Sequence, residues 1–235
     1  MNARVVRASL AMLSLCLVVC AAVGGPVRAQ PPERPTATTV AAWVQAFYDQ
    51  TQTLSARFVQ RYVSEVYQRT DVSRGTVRFK KPGRMRFDYD EPNGKVVVSN
   101  GRTLVVYEPG DEGGAGQYFE QAMTDAQVPL ALGFLTGTGR LDRDFSFRSL
   151  DPTQQGFPSG QVLELRARRP TPHYSRILLY VDADPARRGV VHRVLIVDQA
   201  NNRNRFDFLE QRRNPELADT LFDWRPPAGA RRVQP

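Results

Sequence analysis

Lysine is almost absent from this chain. Its 235 residues hold 32 lysines and arginines, and only Lys80, Lys81 and Lys95 are lysine. Histidine is as scarce, with His173 and His192 alone. The two cysteines, Cys16 and Cys20, both lie near the start. Each shortage excludes something. Two histidines on separate segments, with no acidic residue at ligand spacing, make no metal-site pattern. Without a later cysteine no disulfide framework holds the rest of the chain. It must therefore bury a hydrophobic core, and about 200 residues suffice for one domain. The sequence contains no G-x-S-x-G, C-x-x-C, H-E-x-x-H or phosphate-loop motif. Beyond the first two dozen residues no apolar run is long enough for a transmembrane helix.

The one long apolar run, Leu10 to Val23, has about 14 residues, which suits a signal peptide and is too short to span a bilayer. Arg4 and Arg7 precede it, and Val27-Arg28-Ala29 follows as a cleavage site before Gln30. Residues 1–29 are thus expected to be a signal peptide, and the chain is expected to be exported. Leu15 precedes Cys16 and Val19 precedes Cys20, so neither has the small residue that lipidation requires. Removing Arg4, Arg7 and Arg28 lowers the formal charge from +8 to +5. A basic exported protein can meet anionic headgroups or acidic partners. Nucleic acid is not an expected partner outside the cytoplasm. The arginine excess also reads as solvated strand faces.

Residues 30–235 read as one domain, with 30–37 a proline-rich, flexible leader. A helix is expected from an N-cap at Thr38 or Thr39 to about Thr53. Its apolar stripe is Val40, Trp43, Val44, Phe47 and Tyr48. The period then changes to two. Phe58, Tyr62 and Val66 alternate through a first strand. Val77 and Phe79 follow, and Met85, Phe87 and Tyr89 oppose Arg84, Arg86, Asp88 and Asp90. Asn93-Gly94 and Asn100-Gly101 are hairpin turns joining Val96–Ser99 and Arg102–Tyr107. Asp111–Gly116 is a loop. The segment VPLALGFLTG, Val128 to Gly137, is short, apolar and opened by Pro129, which suits a short helix with loose ends. Strands are expected at Phe145–Leu150, Gln161–Arg169, Arg176–Asp182, Val190–Asp198 and Asn204–Gln211, with a last one at Leu221–Trp224. About ten short strands and two helical segments predict a mainly β fold, an open antiparallel barrel or strongly curved sheet.

Candidate chemistry is thin. Asp88, Asp90 and Glu91 could be glycosidase carboxylates, but Arg84 and Arg86 share the face of the two aspartates, which favours ion pairing. What stands out is apolar: Met85/Phe87/Tyr89, Phe145/Phe147, Leu163/Leu165, Ile177/Leu179 and Phe206/Phe208. Strand faces of this kind make an ordinary barrel core. VPLALGFLTG adds a second reading, because a helix apolar all round belongs inside something. It fits a lid over an apolar concavity.

Four stretches, in order, resemble the periplasmic outer-membrane lipoprotein carriers, the LolA family. TLSARFVQ (Thr53–Gln60) resembles the family's passage from first helix to first strand. FKKPGRMRFDYDEP with VVVSNGRTLVVYEP is similar to its meander, and VPLALGFLTG to its lid helix. NRFDFLEQRRNPELADTLFDWRPPAGARRV is similar to its C-terminal region. The resemblance implies a half-open antiparallel β-barrel with an N-terminal helix and a short apolar helical lid. It implies a non-enzymatic, monomeric periplasmic carrier without cofactor, binding the acyl chains of lipoproteins. Cargo would come from an inner-membrane lipoprotein-releasing ABC transporter and go to an outer-membrane acceptor or the outer membrane itself. The expected cavity and lid residues are Met85, Phe87, Tyr89, Leu130, Leu132, Phe134, Leu135, Phe147, Leu163 and Leu179. Lys81 stands where the family has an arginine that holds the lid, and keeps its charge without the planar fork of donors. Its ammonium is expected to bond carbonyls near Phe134–Gly137. Met85 stands for a cavity-lining aromatic and Phe87 for a tryptophan. Two rivals remain: a lipid- or peptide-sensing regulator on the same sheet, and a cell-envelope hydrolase.

Overall fold

The change of hydrophobic period near Thr53 divides the architecture. Before it, apolar residues recur every three or four positions and form a helix. After it they alternate and form a sheet. The computed structural model describes residues 34–111, 114–123, 136–137 and 139–234. The expected signal peptide, residues 30–33 of the leader, residues 112–113 of the loop and the expected lid from Val128 to Leu135 lie outside the described residues.

Helix α1 spans Ala37–Asp49 and buries Val40, Ala41, Val44, Gln45 and Tyr48. Thr36, not Thr38 or Thr39, caps it: its Oγ1 accepts from the Thr39 N–H at 3.2 Å. The helix stops at Asp49, short of the expected end, because Thr53 already pairs with Lys80 in the first rung of the sheet.

Strands β1 (Thr53–Ser64) and β2 (Arg69–Lys80) form a long hairpin. The meander β3 (Arg84–Tyr89), β4 (Val96–Asn100) and β5 (Thr103–Glu108) follows. Its turns are the expected Asn-Gly pairs, with φ of +58° at Gly94 and +92° at Gly101. Strand β6 (Gln117–Ala122) adds to β5. A helical turn, α2 (Leu141–Asp144), leads into β7 (Phe145–Leu150) and β8 (Gly160–Ala167). Then come β9 (Arg176–Asp182), β10 (Val191–Val197) and β11 (Arg203–Arg213), and finally the short β12 (Arg231–Arg232).

These twelve strands make one open, curved sheet in the order β12-β6-β5-β4-β3-β2-β1-β11-β10-β9-β8-β7. Neighbours are antiparallel except β12, which runs parallel to β6. The mainly β, half-open barrel is therefore present. Three details differ from expectation. Strand β6 and the Arg69–Arg74 half of β2 carry no clean apolar alternation and were not anticipated. Val66 lies in the β1–β2 turn, exposed, rather than in a strand. Leu221–Trp224 is no strand: Asp219–Phe222 form a 3₁₀ turn that buries Phe222.

One apolar core fills the concave side. Residues of β1, β2, β3, β5 and β7–β11 meet α1 and α2 there. The two helices are tied where Leu141 N–H donates to Gln45 Oε1 at 2.9 Å. A smaller cluster on the opposite face of β8 and β9 gathers Val162, Leu178 and Tyr180 under Leu150 and Phe157.

Candidate functional site

Alternation sends every second side chain of a strand inward, so a curved sheet collects apolar residues from distant segments into one lining. Met85 and Phe87 of β3, Leu163 of β8 and Leu179 of β9 are buried in that lining. Tyr89 and Phe147 pack against it half-buried. Leu163 and Leu179 are direct cross-strand partners. Burial pushes the Tyr89 hydroxyl up to about 12, so this ring stays neutral. The structure thus brings six of the expected residues to one face. Leu130, Leu132, Phe134 and Leu135 lie outside the described residues.

The centre of the lining is a residue that the sequence did not single out for binding. Phe58 of β1 meets Phe87 at 5.5 Å, Tyr89 at 5.0 Å and Phe206 at 6.1 Å between ring centroids. Phe87 in turn meets Phe79 at 5.8 Å and Phe206 at 5.9 Å. These are mostly edge-to-face contacts, the arrangement that the ring quadrupole favours. A signal for Phe206 was present: Arg86-Phe87-Asp88-Tyr89 and Arg205-Phe206-Asp207-Phe208 carry one alternation, aromatic inward and aspartate outward. Their meeting across β1 depends on non-local register.

Gly75 makes room for the Phe58 ring. A Cβ on Gly75 would lie 2.7 Å from that ring and 2.2 Å from the Asp88 carbonyl oxygen. The neighbouring ladder cannot yield to such an approach. Gly75→Ala is expected to cost about 2–4 kcal/mol by overpacking, more than the usual point mutation. Chemical denaturation against wild type checks this, and an unchanged midpoint would mean that both the Asp88 backbone and the Phe58 ring give way freely.

The outer face of the same strands is a lattice of ion pairs. Asp88 accepts from Arg78 at 2.7 Å and from Arg86 at 2.8 Å. Asp207 is held by Arg193 and by Arg205, the latter at 2.7 Å. Asp90 is paired with Arg57, whose hydrogen bond holds the carboxyl below the usual aspartate range. Asp88 and Asp90 are therefore occupied by arginines, as their shared face implied. Lys80 and Arg84 both grip Asp219, and Arg86 donates to the Leu221 carbonyl at 2.9 Å. The C-terminal segment is thus fastened across the meander's back.

His173 and His192 sit at opposite ends of the β9–β10 pair, because Gln199 reaches Thr171 while Val191 pairs with Val181. His192 Nε2 lies 2.8 Å from Asp182 Oδ2, a contact that spacing along the chain did not reveal. Burial raises the Asp182 pKa. The bond to His192, the Asp184 N–H and the charge of Arg187 outweigh that and hold it below its ordinary value.

Lys81 lies at the mouth of the helix-capped end. Its ammonium donates to the Tyr48 carbonyl, in the last turn of α1, where a helix favours a cation. Burial lowers the Lys81 pKa and the charge of Asp49 partly opposes that. The described end of the expected lid, Thr136–Gly137, meets the same turn. Gly83 N–H donates to the Thr136 carbonyl at 3.0 Å. Gly137, at φ +75°, packs so closely that a Cβ would sit 2.8 Å from Lys81 Cδ. Lys81 thus bridges α1 to the segment end through its stem, and its ammonium bonds α1 rather than the Thr136 or Gly137 carbonyl.

Comparison with known proteins fits this arrangement. Residues 49–225 match the model of the family described as outer membrane lipoprotein carrier protein LolA. An outer-membrane lipoprotein carrier protein of Nitrosomonas europaea is 24% identical over 186 residues, 79% of this chain and 84% of that protein. One from Chromobacterium violaceum is 27% identical over 199 residues, covering 83% and 87%. A crystal structure of a LolA superfamily protein from Nitrosomonas europaea aligns over 80% of this chain and 98% of that one, at 15% identity and a TM-score of 0.44. The family match spans most of the chain and includes the hairpin, the meander, the Lys81 turn and the aromatic lining, and on it the chain belongs to the LolA family of outer membrane lipoprotein carrier proteins.

Proposed function

We propose that this protein is a non-enzymatic periplasmic carrier. It takes the acyl chains of a lipoprotein from an inner-membrane ABC transporter onto the lining around Phe58 and passes them to an outer-membrane acceptor or the outer membrane. Residues 1–29 would be removed on export, leaving 30–235 as the working domain. The observation that carries the reading is the continuous apolar lining, contributed by nine strands and α1, beside a meander strand whose charged Arg86 and Asp88 face outward.

The energetics favour direct transfer. A triacylated anchor has on the order of 45 methylenes, and hydrating all of them would cost on the order of 35 kcal/mol. Cargo must then move between apolar sites without release into water. The carrier must also let go, and a lining of rings that touch edge to face offers sites that acyl chains can enter by replacing ring–ring contacts. No cofactor or nucleotide has a role here, since the transporter supplies the energy.

The test is mass spectrometry of the protein isolated from periplasm. Co-purified lipoprotein or acylated peptide is the expected result. Apoprotein that also takes up no lipoprotein from inner-membrane vesicles would remove the carrier reading.

A further inference from the structure

The β1–β2 hairpin is longer than its neighbour on one side. Strand β3 reaches only to Tyr89, opposite Gly75, so residues 69–74 of β2 run on beyond it. A cleft of about 660 Å³ opens between this overhang and the β3–β4 turn, bounded by Tyr62, Asp71, Arg74, Pro92 and Lys95. On the other side β11 supports the hairpin as far as Val63, and Asn202 Oδ1 accepts from the Glu65 N–H at 2.8 Å. The tip is thus held firmly from one side and stands clear on the other.

What it presents is unusual for a solvated turn. Val66 is 71% exposed, Tyr67 82% and Val72 44%, three of the four large hydrophobic residues that stand exposed among those described. Arg61, Arg69, Arg74, Arg203, Arg205 and, across the cleft, Lys95 surround them, against Glu65, Asp71, Asp90 and Glu91. Asp71 is already paired with Arg69 at 2.8 Å and Arg205 with Asp207. Among the described residues Arg61, Arg74 and Arg203 have no salt bridge; Arg74 acts only through space on Asp90, which Arg57 already holds.

We propose that this tip docks the protein on an anionic phospholipid bilayer, with Val66 and Tyr67 in the interface and Arg61, Arg74 and Arg203 against the headgroups. The inference goes beyond the carrier reading and stands whether or not the inner lining takes acyl chains. Charge complementarity chooses the partner, because unpaired arginines around an apolar point match a negative surface. A stable protein interface needs about 800 Å² per partner, whereas the large hydrophobic residues exposed on this tip are only Val66, Tyr67 and Val72. A bilayer accepts a few side chains, and tyrosine suits its polar–apolar boundary.

Binding of the mature protein to phosphatidylcholine vesicles, with and without phosphatidylglycerol, tests this. Wild type is expected to float with the anionic vesicles, to dissociate as salt rises and to bind neutral ones weakly. Arg61→Glu and Arg203→Glu should each weaken anionic binding about fivefold or more. Val66→Ser with Tyr67→Ser should weaken it about tenfold. All four sites are at the surface, and unchanged circular dichroism confirms the fold. Tyr67→Trp supplies a direct readout, a blue-shifted emission on adding anionic vesicles. Absence of that shift, equal binding by the double-serine variant, or binding only to vesicles that contain membrane protein would each overturn the proposal.

Discussion

Phe87→Glu is expected to abolish cargo uptake and to lower stability more at pH 8 than at pH 4. Phe87 is buried against the rings of Phe58, Phe79 and Phe206. Removing such a ring costs about 3–5 kcal/mol by itself. A carboxylate in its place has no cation on the inner face, where the described neighbours are aromatic and aliphatic. Burial would raise its pKa above the ordinary glutamate value of about 4.3. The sign follows. An acid whose folded-state pKa is raised destabilises the fold as pH climbs from the unfolded value through the raised one, so the loss is smaller in acid. Thermal unfolding across that window should show a deficit that widens with pH. Phe87→Leu separates fold from function: it keeps an apolar side chain and should retain most stability and much of the uptake. A Phe87→Glu variant that melts like wild type and still loads lipoprotein would place the binding surface away from this lining.

The local grammar of the chain was legible because it is local. The switch from a 3.6 to a 2 period located α1 and most strands, and the Asn-Gly pairs located both meander turns. The alternation of Met85, Phe87 and Tyr89 with arginine and aspartate correctly separated an apolar face from an ion-paired one. Ends were less legible. Thr36, Thr38 and Thr39 are equally good caps on paper, and only the actual turn selects Thr36. Strand β6 was hidden because QYFEQA carries polar residues on both faces, one strand in from the sheet's edge. The core of the site was hidden for a deeper reason. Phe58 becomes its centre through pairing with Gly75 on one side and with Phe208 on the other, 150 residues along the chain. No spacing rule reports such a register. Lys81 was identified by resemblance together with its place before Pro82, and its hydrogen-bond partner could not be read that way, because Tyr48 precedes it by 33 residues.

That partner changes how the Lys81 substitution should behave. The ammonium bonds the C-terminal turn of α1, and its stem supports Gly137 beside the Gly83–Thr136 hydrogen bond. Lys81→Leu keeps much of the stem and deletes the charge. A hydrogen bond to a charged group contributes roughly 1.5–3 kcal/mol, enough to shift a two-state equilibrium about ten- to a hundred-fold. The lysine's lowered pKa marks a burial cost that takes back part of this, so the lower end is expected. If the empty carrier is closed by α1 and the Thr136–Gly137 segment meeting at Lys81, the leucine variant favours the open, loaded form. It should fold normally and accept lipoprotein, yet release it to acceptor membranes about tenfold more slowly at matched loading. Lys81→Arg retains the charge at the helix end and adds donors, so release should return towards wild type. Gly137→Val presses on the Lys81 stem instead, and should mimic the leucine phenotype with the ammonium intact. Equal release by wild type and Lys81→Leu would mean that closure rests on packing alone and that Lys81 serves only to cap α1.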